Sequence, residues 1–263
     1  MSRIEASSQI HVLSPPLPAG LRRGPAFRVL SGAKSARWKP GGATGCRHTE
    51  VFASGGDGAG AALALALARD ARNADAPDQE GDQRPWLWVQ DKAALRLSGR
   101  PYRPGLPEHL RHRLIHVAAM TPEDALFALE EGLRCRDLAF VIGEIAGNPR
   151  ALDFTASRRL SLAAEKHGTA LWLVRLDARA DLGSARMRWR AAAAPSLPPR
   201  WNPQAPGRPA WEAELFRAHT FQPGHWTLRD DGNALTVAPI TNPGAPDHGD
   251  LVHGTGARSL AAG

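Results

Sequence analysis

His48-Thr49-Glu50-Val51-Phe52-Ala53, then Ser54-Gly55-Gly56-Asp57-Gly58-Ala59-Gly60, then the alanine- and leucine-rich run from Ala61 to Arg72, is the stretch that decides the fold. The first segment suits a short strand, the second a glycine-rich turn and the third a helix. This is the layout of a phosphate-binding loop, with Gly55 and Gly60 at its first and sixth positions. Ala61 and Ala62 stand where a lysine and a Ser or Thr would follow. The lysine would supply charge to the β- and γ-phosphates and the hydroxyl would hold Mg²⁺, so the loop has the backbone of a nucleotide site without its chemistry. Two readings stand for Gly55, Gly56, Gly58, Ala59 and Gly60. One is a plain strand-to-helix turn whose glycines supply positive φ; the other is residual anion binding by backbone N–H groups.

Outward from the loop, the pattern alternates. Pro85 to Gln90, Leu114 to Ala118, Leu138 to Ile142 and Ala170 to Arg175 are short apolar runs that suit buried strands. Between them, Thr121-Pro122-Glu123-Asp124 offers a cap, a proline and acids to a helix reaching about Arg134. Asp153 or Thr155 opens another helix through Ala164 that ends near Gly168. Strands separated by helices of this length specify βαβ units and a parallel sheet covered on both faces. Beyond residue 182, Ser184–Arg190, Trp211–Arg217 and His225–Arg229 alternate as antiparallel edge strands with one wet face, joined by the Pro-rich connector 191–209. Residues 1–45 are rich in Pro, Gly, Ser and Arg and read as a flexible arm, 46–238 as the domain, and 239–263 as a disordered tail.

The formal charge is +7, yet Lys34, Lys39, Lys92 and Lys166 are the only lysines among 33 basic residues. An arginine- and alanine-rich chain of this kind also follows from GC-rich coding, so the charge is weak evidence for a polyanionic partner. Cys46 and Cys135 form no CxxC pair and suggest neither a disulfide framework nor a zinc site. The N-terminus has no basic-then-apolar leader, and the longest alanine/leucine run falls far short of the roughly 20 residues that span a bilayer, so a cytoplasmic protein without membrane contact is expected.

Other candidates are weighed on the same footing. His109, His112 and His116 have ligand-like spacings, but His116 falls in an expected strand and no carboxylate or thiolate completes a metal site. Asp153 reads as a helix cap, and Glu165 and His167 as a solvated last turn. Arg186, Arg188 and Arg190 alternate with Met187 and Trp189, which gives a candidate face for phosphates or an acidic protein, or else a charged edge strand. Trp86, Trp88 and Trp172 are core by position. Trp211 and Trp226, with Trp201, are candidate partner anchors.

Several of these stretches resemble one family. Glu50-Val51-Phe52, Leu87-Trp88-Val89-Gln90-Asp91, Gly99-Arg100-Pro101-Tyr102, Leu129-Glu130-Glu131-Gly132-Leu133-Arg134-Cys135, Val141-Ile142-Gly143-Glu144-Ile145 and Leu152 to Leu160 together look like the ImuA proteins, over roughly residues 20–235. The resemblance implies a RecA-like α/β fold of P-loop NTPase type: a parallel sheet flanked by helices, extended by antiparallel edge strands, with a degenerate nucleotide loop. It implies an SOS-induced accessory protein of translesion synthesis. Its partners would be an ImuB-like relative of Y-family polymerases, indirectly an error-prone replicative-type polymerase subunit, and RecA as a further contact. DNA would be reached through them, and the protein would be nucleoid-associated when engaged at damage.

In the RecA register the lysine and hydroxyl positions fall on Ala59 and Gly60, equally empty. The water-activating glutamate is matched by Lys92, and the strand that should end in a metal-holding aspartate runs Val141-Ile142-Gly143. These vacancies imply no ATP hydrolysis, no cofactor and no metal. The alternatives are a DNA-dependent ATPase with an unorthodox site and a cell-division inhibitor like the SulA proteins. The second is disfavoured because this chain keeps all its helical crossovers.

Overall fold

The structure is a computed structural model that describes residues 36–75, 82–232 and 234–238. Most of the expected arm, the whole expected tail and residues 76–81 lie outside the described residues. In chain order the elements are β1 (Ala36–Arg37), β2 (His48–Ala53), α1 (Ala59–Asp75), β3 (Trp86–Gln90), α2 (Lys92–Ser98), α3 (Glu108–Arg111), β4 (Leu114–Ala118), α4 (Pro122–Arg134), β5 (Val141–Ala146), α5 (Phe154–His167), β6 (Leu171–Leu176), β7 (Met187–Ala193), β8 (Ala210–Ala218), β9 (Phe221–Gln222), β10 (Gly224–Asp230) and β11 (Leu235–Val237).

The fold is α/β with a mixed nine-stranded sheet of order β11-β10-β8-β7-β2-β6-β5-β3-β4. From β7 to β4 all neighbours are parallel, while β8, β10 and β11 continue antiparallel. The crossover rule accounts for the parallel part: α1, α4 and α5 return the chain to the same end of the sheet each time. Along β3, Trp86 and Trp88 point to the layer of α1, and Leu87 and Val89 to the layer of α4 and α5. Thr121 caps α4 through the Asp124 amide at 3.1 Å, and Asp153 caps α5 through the Ala156 amide at 2.7 Å, as their sequence signals predict. Gly168 closes α5 with a φ of 77°.

Three expectations are corrected. The strand holding Arg186–Arg190 is not an antiparallel edge: β7 lies inside the sheet, parallel to β2 on one side and antiparallel to β8 on the other. Met187 and Trp189 pack in the core on one face and Arg188 lies over Phe52 on the other, so all three are buried, and the register shift between Arg188 and Trp189 falls in the pairing with β8. The strand expected at Leu138–Ile142 runs instead over Val141–Ala146, because Leu138 and Phe140 pack in the approach to it, Phe140 stacking on Trp86 at 5.1 Å. Finally, residues 36–45, assigned by composition to the arm, belong to the domain. Ala36 and Arg37 pair with β9, and Trp38 is 2% exposed between Trp189 and Trp226, with ring centroids at 4.8 and 5.4 Å.

Beneath α5 the sheet carries polar groups. His48 Nδ1 lies 2.6 Å from Ser161 Oγ, and Ser157 and Ser184 bond beside it. Burial pushes His48 down from 6.5 to about 4; nearby Glu50 opposes this, and Arg188 and Arg175 reinforce it. The unfolded chain therefore takes a proton on this imidazole at a pH where the folded chain refuses it. The histidine's contribution to stability is complete above 6.5 and is lost as the pH falls towards 4. Urea unfolding near pH 7 and about pH 4.5 should show wild type losing about 2–3 kcal/mol more than His48→Gln, whose side chain does not titrate. Equal losses in the two proteins would contradict a buried neutral His48.

Candidate functional site

The glycine loop joins β2 to α1 at the C-terminal end of the parallel strands. Three of its amides are taken by side chains of the same protein. Gly55 N donates to Asp177 Oδ1 at 3.0 Å, Gly56 N to Ser54 Oγ at 3.0 Å, and Ala59 N to Asp57 Oδ1 at 2.9 Å. Asp177 directly follows β6 and has a φ of 49°, the one positive value outside glycine among the described residues. A carboxylate from the neighbouring strand thus sits on a loop N–H of the kind that in a nucleotide site would face a phosphate.

Gly55, Gly56, Gly58 and Gly60 all have negative φ, which corrects the expectation that the turn needs glycine for its dihedral angles. Space is the reason at two of them. A Cβ at Gly55 would lie 2.8 Å from Asp177 Oδ2 and 2.9 Å from Leu97 Cδ1; at Gly60 it would lie 2.7 Å from Ala53 Cβ and 3.0 Å from Val174 Cγ1. Nothing lies within 4 Å of a Cβ at Gly58. Ala59 and Gly60 are buried, so the lysine and hydroxyl positions of the RecA register are filled by packing. Ala61 and Ala62, the same positions in the other register, are half-buried and line a cleft of about 830 Å³ beside Leu65, Tyr102 and Trp211.

Lys92 is exposed in the first turn of α2, and Asp91 before it caps that helix through the Ala94 amide at 2.6 Å. Gly143 faces away from the loop helix: a Cβ there would lie 2.9 Å from Leu129 and 3.0 Å from Leu173, in the layer of α4 and α5. On the α1 side of β5, between Ile142 and Ala146, stands Glu144, beside Gln90 in register. Gly143, the expected vestigial metal position, thus lies in the α4 and α5 layer, and Glu144, one residue on, takes the opposite face of the strand.

Glu144 is 1% exposed and accepts hydrogen bonds from Trp88 Nε1 at 2.9 Å, Gln90 Nε2 at 3.0 Å and Ser98 Oγ at 2.8 Å. Gln90 Oε1 continues the chain to His116 Nε2 at 2.8 Å. Burial raises the Glu144 carboxyl above the usual carboxylate range, while Gln90, Ser98 and Trp88 pull it down. Every neighbour of the carboxylate is internal, so it ties α2 to the sheet. A glutamate within an apolar strand, with a Trp and a Gln two residues apart on an earlier strand, was the available sequence signal.

The proposed contact face is dispersed by the structure. Arg188 is 3% exposed and donates to Glu50 Oε2 at 2.6 Å; Arg186 and Arg190 are exposed but paired with Glu165 and Glu214, each at 2.7 Å. Trp211 and Trp226 are buried at 3% and 6% in the sheet extension, whereas Trp201 is 88% exposed. Of the three histidines, His116 bonds to Gln90 and His109 lies on α3. Among the described residues, no group of three His, Cys, Asp or Glu stands close enough to hold a metal, and no helix is long and apolar enough to cross a membrane.

These features define an α/β protein whose strand–loop–helix unit closes on its own side chains. No protein-family model matches the chain. Protein ImuA of Caulobacter vibrioides, in strain NA1000 / CB15N and in strain ATCC 19089 / CIP 103742 / CB 15, is 38% identical to it over 127 residues. The match takes in 44% of this chain and 50% of the relative, so the chain spans about half the length of the curated relatives it matches. Over that stretch the chain is similar to Protein ImuA; the matched stretch is shorter than residues 20–235.

The loop geometry gives opposite expectations for two glycines. Gly60→Ala should lower stability by about 1–3 kcal/mol through overpacking against Ala53 and Val174, although alanine favours the helix. Gly58→Ala, with open space and ordinary φ, should change it by no more than about 0.5 kcal/mol. Chemical denaturation of both variants checks this, and equal effects would contradict it.

Proposed function

We propose that the chain is a non-catalytic, RecA-like accessory protein of damage-induced mutagenesis that works by contact with an ImuB-like relative of Y-family polymerases. The similarity to Protein ImuA supports the process. The observation that carries the non-catalytic reading is the closed loop, where Asp177, Ser54 and Asp57 take the amides of Gly55, Gly56 and Ala59. A working phosphoryl-transfer site needs those donors free, together with a lysine, a metal-holding hydroxyl and an accessible carboxylate. Here Ala59 to Ala62 supply neither lysine nor hydroxyl, and Glu144 is sealed by Trp88, Gln90 and Ser98.

On this reading the protein acts as a scaffold. Its outer surfaces meet the polymerase relative, the error-prone polymerase subunit is engaged indirectly, and RecA is a further contact. No single cationic strand marks the contact face, since Arg186, Arg188 and Arg190 are each neutralised within the fold.

Affinity-tagged protein from DNA-damaged cells should co-purify with the ImuB-like polymerase relative. The purified protein should release no phosphate from ATP above a no-protein control, with or without single-stranded DNA. Steady ATP turnover, or an eluate without the polymerase relative, would contradict the proposal.

A further inference from the structure

At the opposite end of the sheet from the glycine loop, the N-terminal ends of β2, β3, β4 and β5 meet the last turns of α1 around a cavity of about 560 Å³. Arg47, Arg69, Arg72, Arg84 and Arg113 line it, and the carboxylates in its wall are Asp75 and Asp82. These arginines come from separate stretches of chain. The cluster is thus built by the fold and is more than basic residues gathered at one helix C-terminus.

Asp82 is shared: Arg72 meets it at 2.8 Å and Arg84 at 2.7 Å. Arg113 donates to the Asp82 carbonyl and to the Gln83 amide oxygen, and among the described residues no carboxylate is recorded as its ion-pair partner. Arg72 lies over the Phe140 ring at 5.7 Å, which holds its guanidinium in place. Burial lowers the Arg72 pKa, with Arg84 and Arg113 adding to the effect against Asp82. Burial, and then Arg69, Arg72 and Arg113, push the His109 imidazole below its ordinary value. Arg47 pairs with Asp75 at 3.1 Å and Arg69 with Asp230 at 2.7 Å, so five guanidinium groups face three carboxylates among the described residues, and the concave wall keeps a net positive charge suited to an anion.

We propose that this cavity binds a terminal phosphate, the phosphate monoester of a nucleotide or of a DNA strand end. Guanidinium groups on converging walls fit the several oxygens of a monoester better than the two free oxygens of a backbone diester. The rest of the ligand has somewhere to go: Arg69, His109 and Gly232 also line the larger cleft along α1, where Tyr102 is 75% exposed. This site is independent of the glycine loop and of the proposed scaffold role.

Titration calorimetry with three probes tests it: inorganic phosphate, dAMP, and a short single strand bearing a 5′-phosphate, set against the same strand with a 5′-hydroxyl. Saturable binding of at least one phosphate probe is expected. The folded Arg72→Gln/Arg113→Gln variant should weaken it by about tenfold or more, the scale of one lost charge-assisted bond. Asp82→Asn, which keeps the arginines and frees two of them, should tighten it about two- to threefold, and this arm decides if the double variant does not fold. A preference for dAMP identifies a nucleotide ligand, and a preference for the 5′-phosphate strand a DNA end; either supports the site. Absence of saturable binding by every phosphate probe, equal affinity for the 5′-phosphate and 5′-hydroxyl strands where no free phosphate probe binds, unchanged affinity in a folded double variant, or unchanged or weaker affinity in Asp82→Asn would overturn it.

Discussion

Glu50 is 1% exposed in the middle of β2 and holds Arg188 at 2.6 Å and Arg175 at 3.8 Å, both nearly as buried. The two arginines come from β7 and β6, the strands on either side of β2, so one carboxylate ties together the three strands at the centre of the sheet. Coulomb attraction across a dry interior has to offset the desolvation of three ions, and it does so only with further support. Phe52 supplies some of it, lying under Arg188 at 4.8 Å and Arg175 at 5.6 Å, and Arg175 also donates to the Gly147 carbonyl at 3.1 Å. Removing one member of such a group typically costs about 3–5 kcal/mol, because a charge is left buried without a partner.

The placement of that carboxylate bears on the rest of the molecule. With Glu50 and Phe52 on the α5 side, Val51 and Ala53 face α1, which fixes how closely the loop helix approaches the sheet at Gly60. The same register sets β6 against β2, Ala53 opposite Leu176, and so delivers Asp177 to the Gly55 amide. The arginine that looked available for a partner is the one that secures the junction between the parallel strands and their antiparallel extension. The glycine loop and the mixed sheet are thus joined through one strand.

Much of this was legible in the sequence. The βαβ rhythm from His48 to Arg175 followed from alternating apolar runs and helix caps, and Asp153, Thr121 and Gly168 took the cap roles that their residue types favour. What failed had a common physical cause, since local pattern does not reveal long-range pairing. Arg188 alternates like a surface residue, yet its partner is 138 positions away; Trp38 sits in a Pro- and Gly-rich stretch, yet two tryptophans from distant strands enclose it. The missing lysine and hydroxyl were readable from Ala59 to Ala62, but the carboxylate that closes the loop was not, because Asp177 lies 122 residues from Gly55. Glu144 stands on the opposite face from Gly143 as alternation requires, but Trp88, Gln90 and Ser98, which enclose it, lie 56, 54 and 46 positions away.

Amide NMR shifts of Gly55, Gly56 and Ala59, followed during a titration with Mg²⁺ and ATP, test most directly whether the loop is closed by its own side chains. With Asp177, Ser54 and Asp57 already accepting from these amides, the three resonances should stay where they are across the titration. A saturable shift of all three would show that the loop still receives phosphate and would contradict its role as a purely architectural turn.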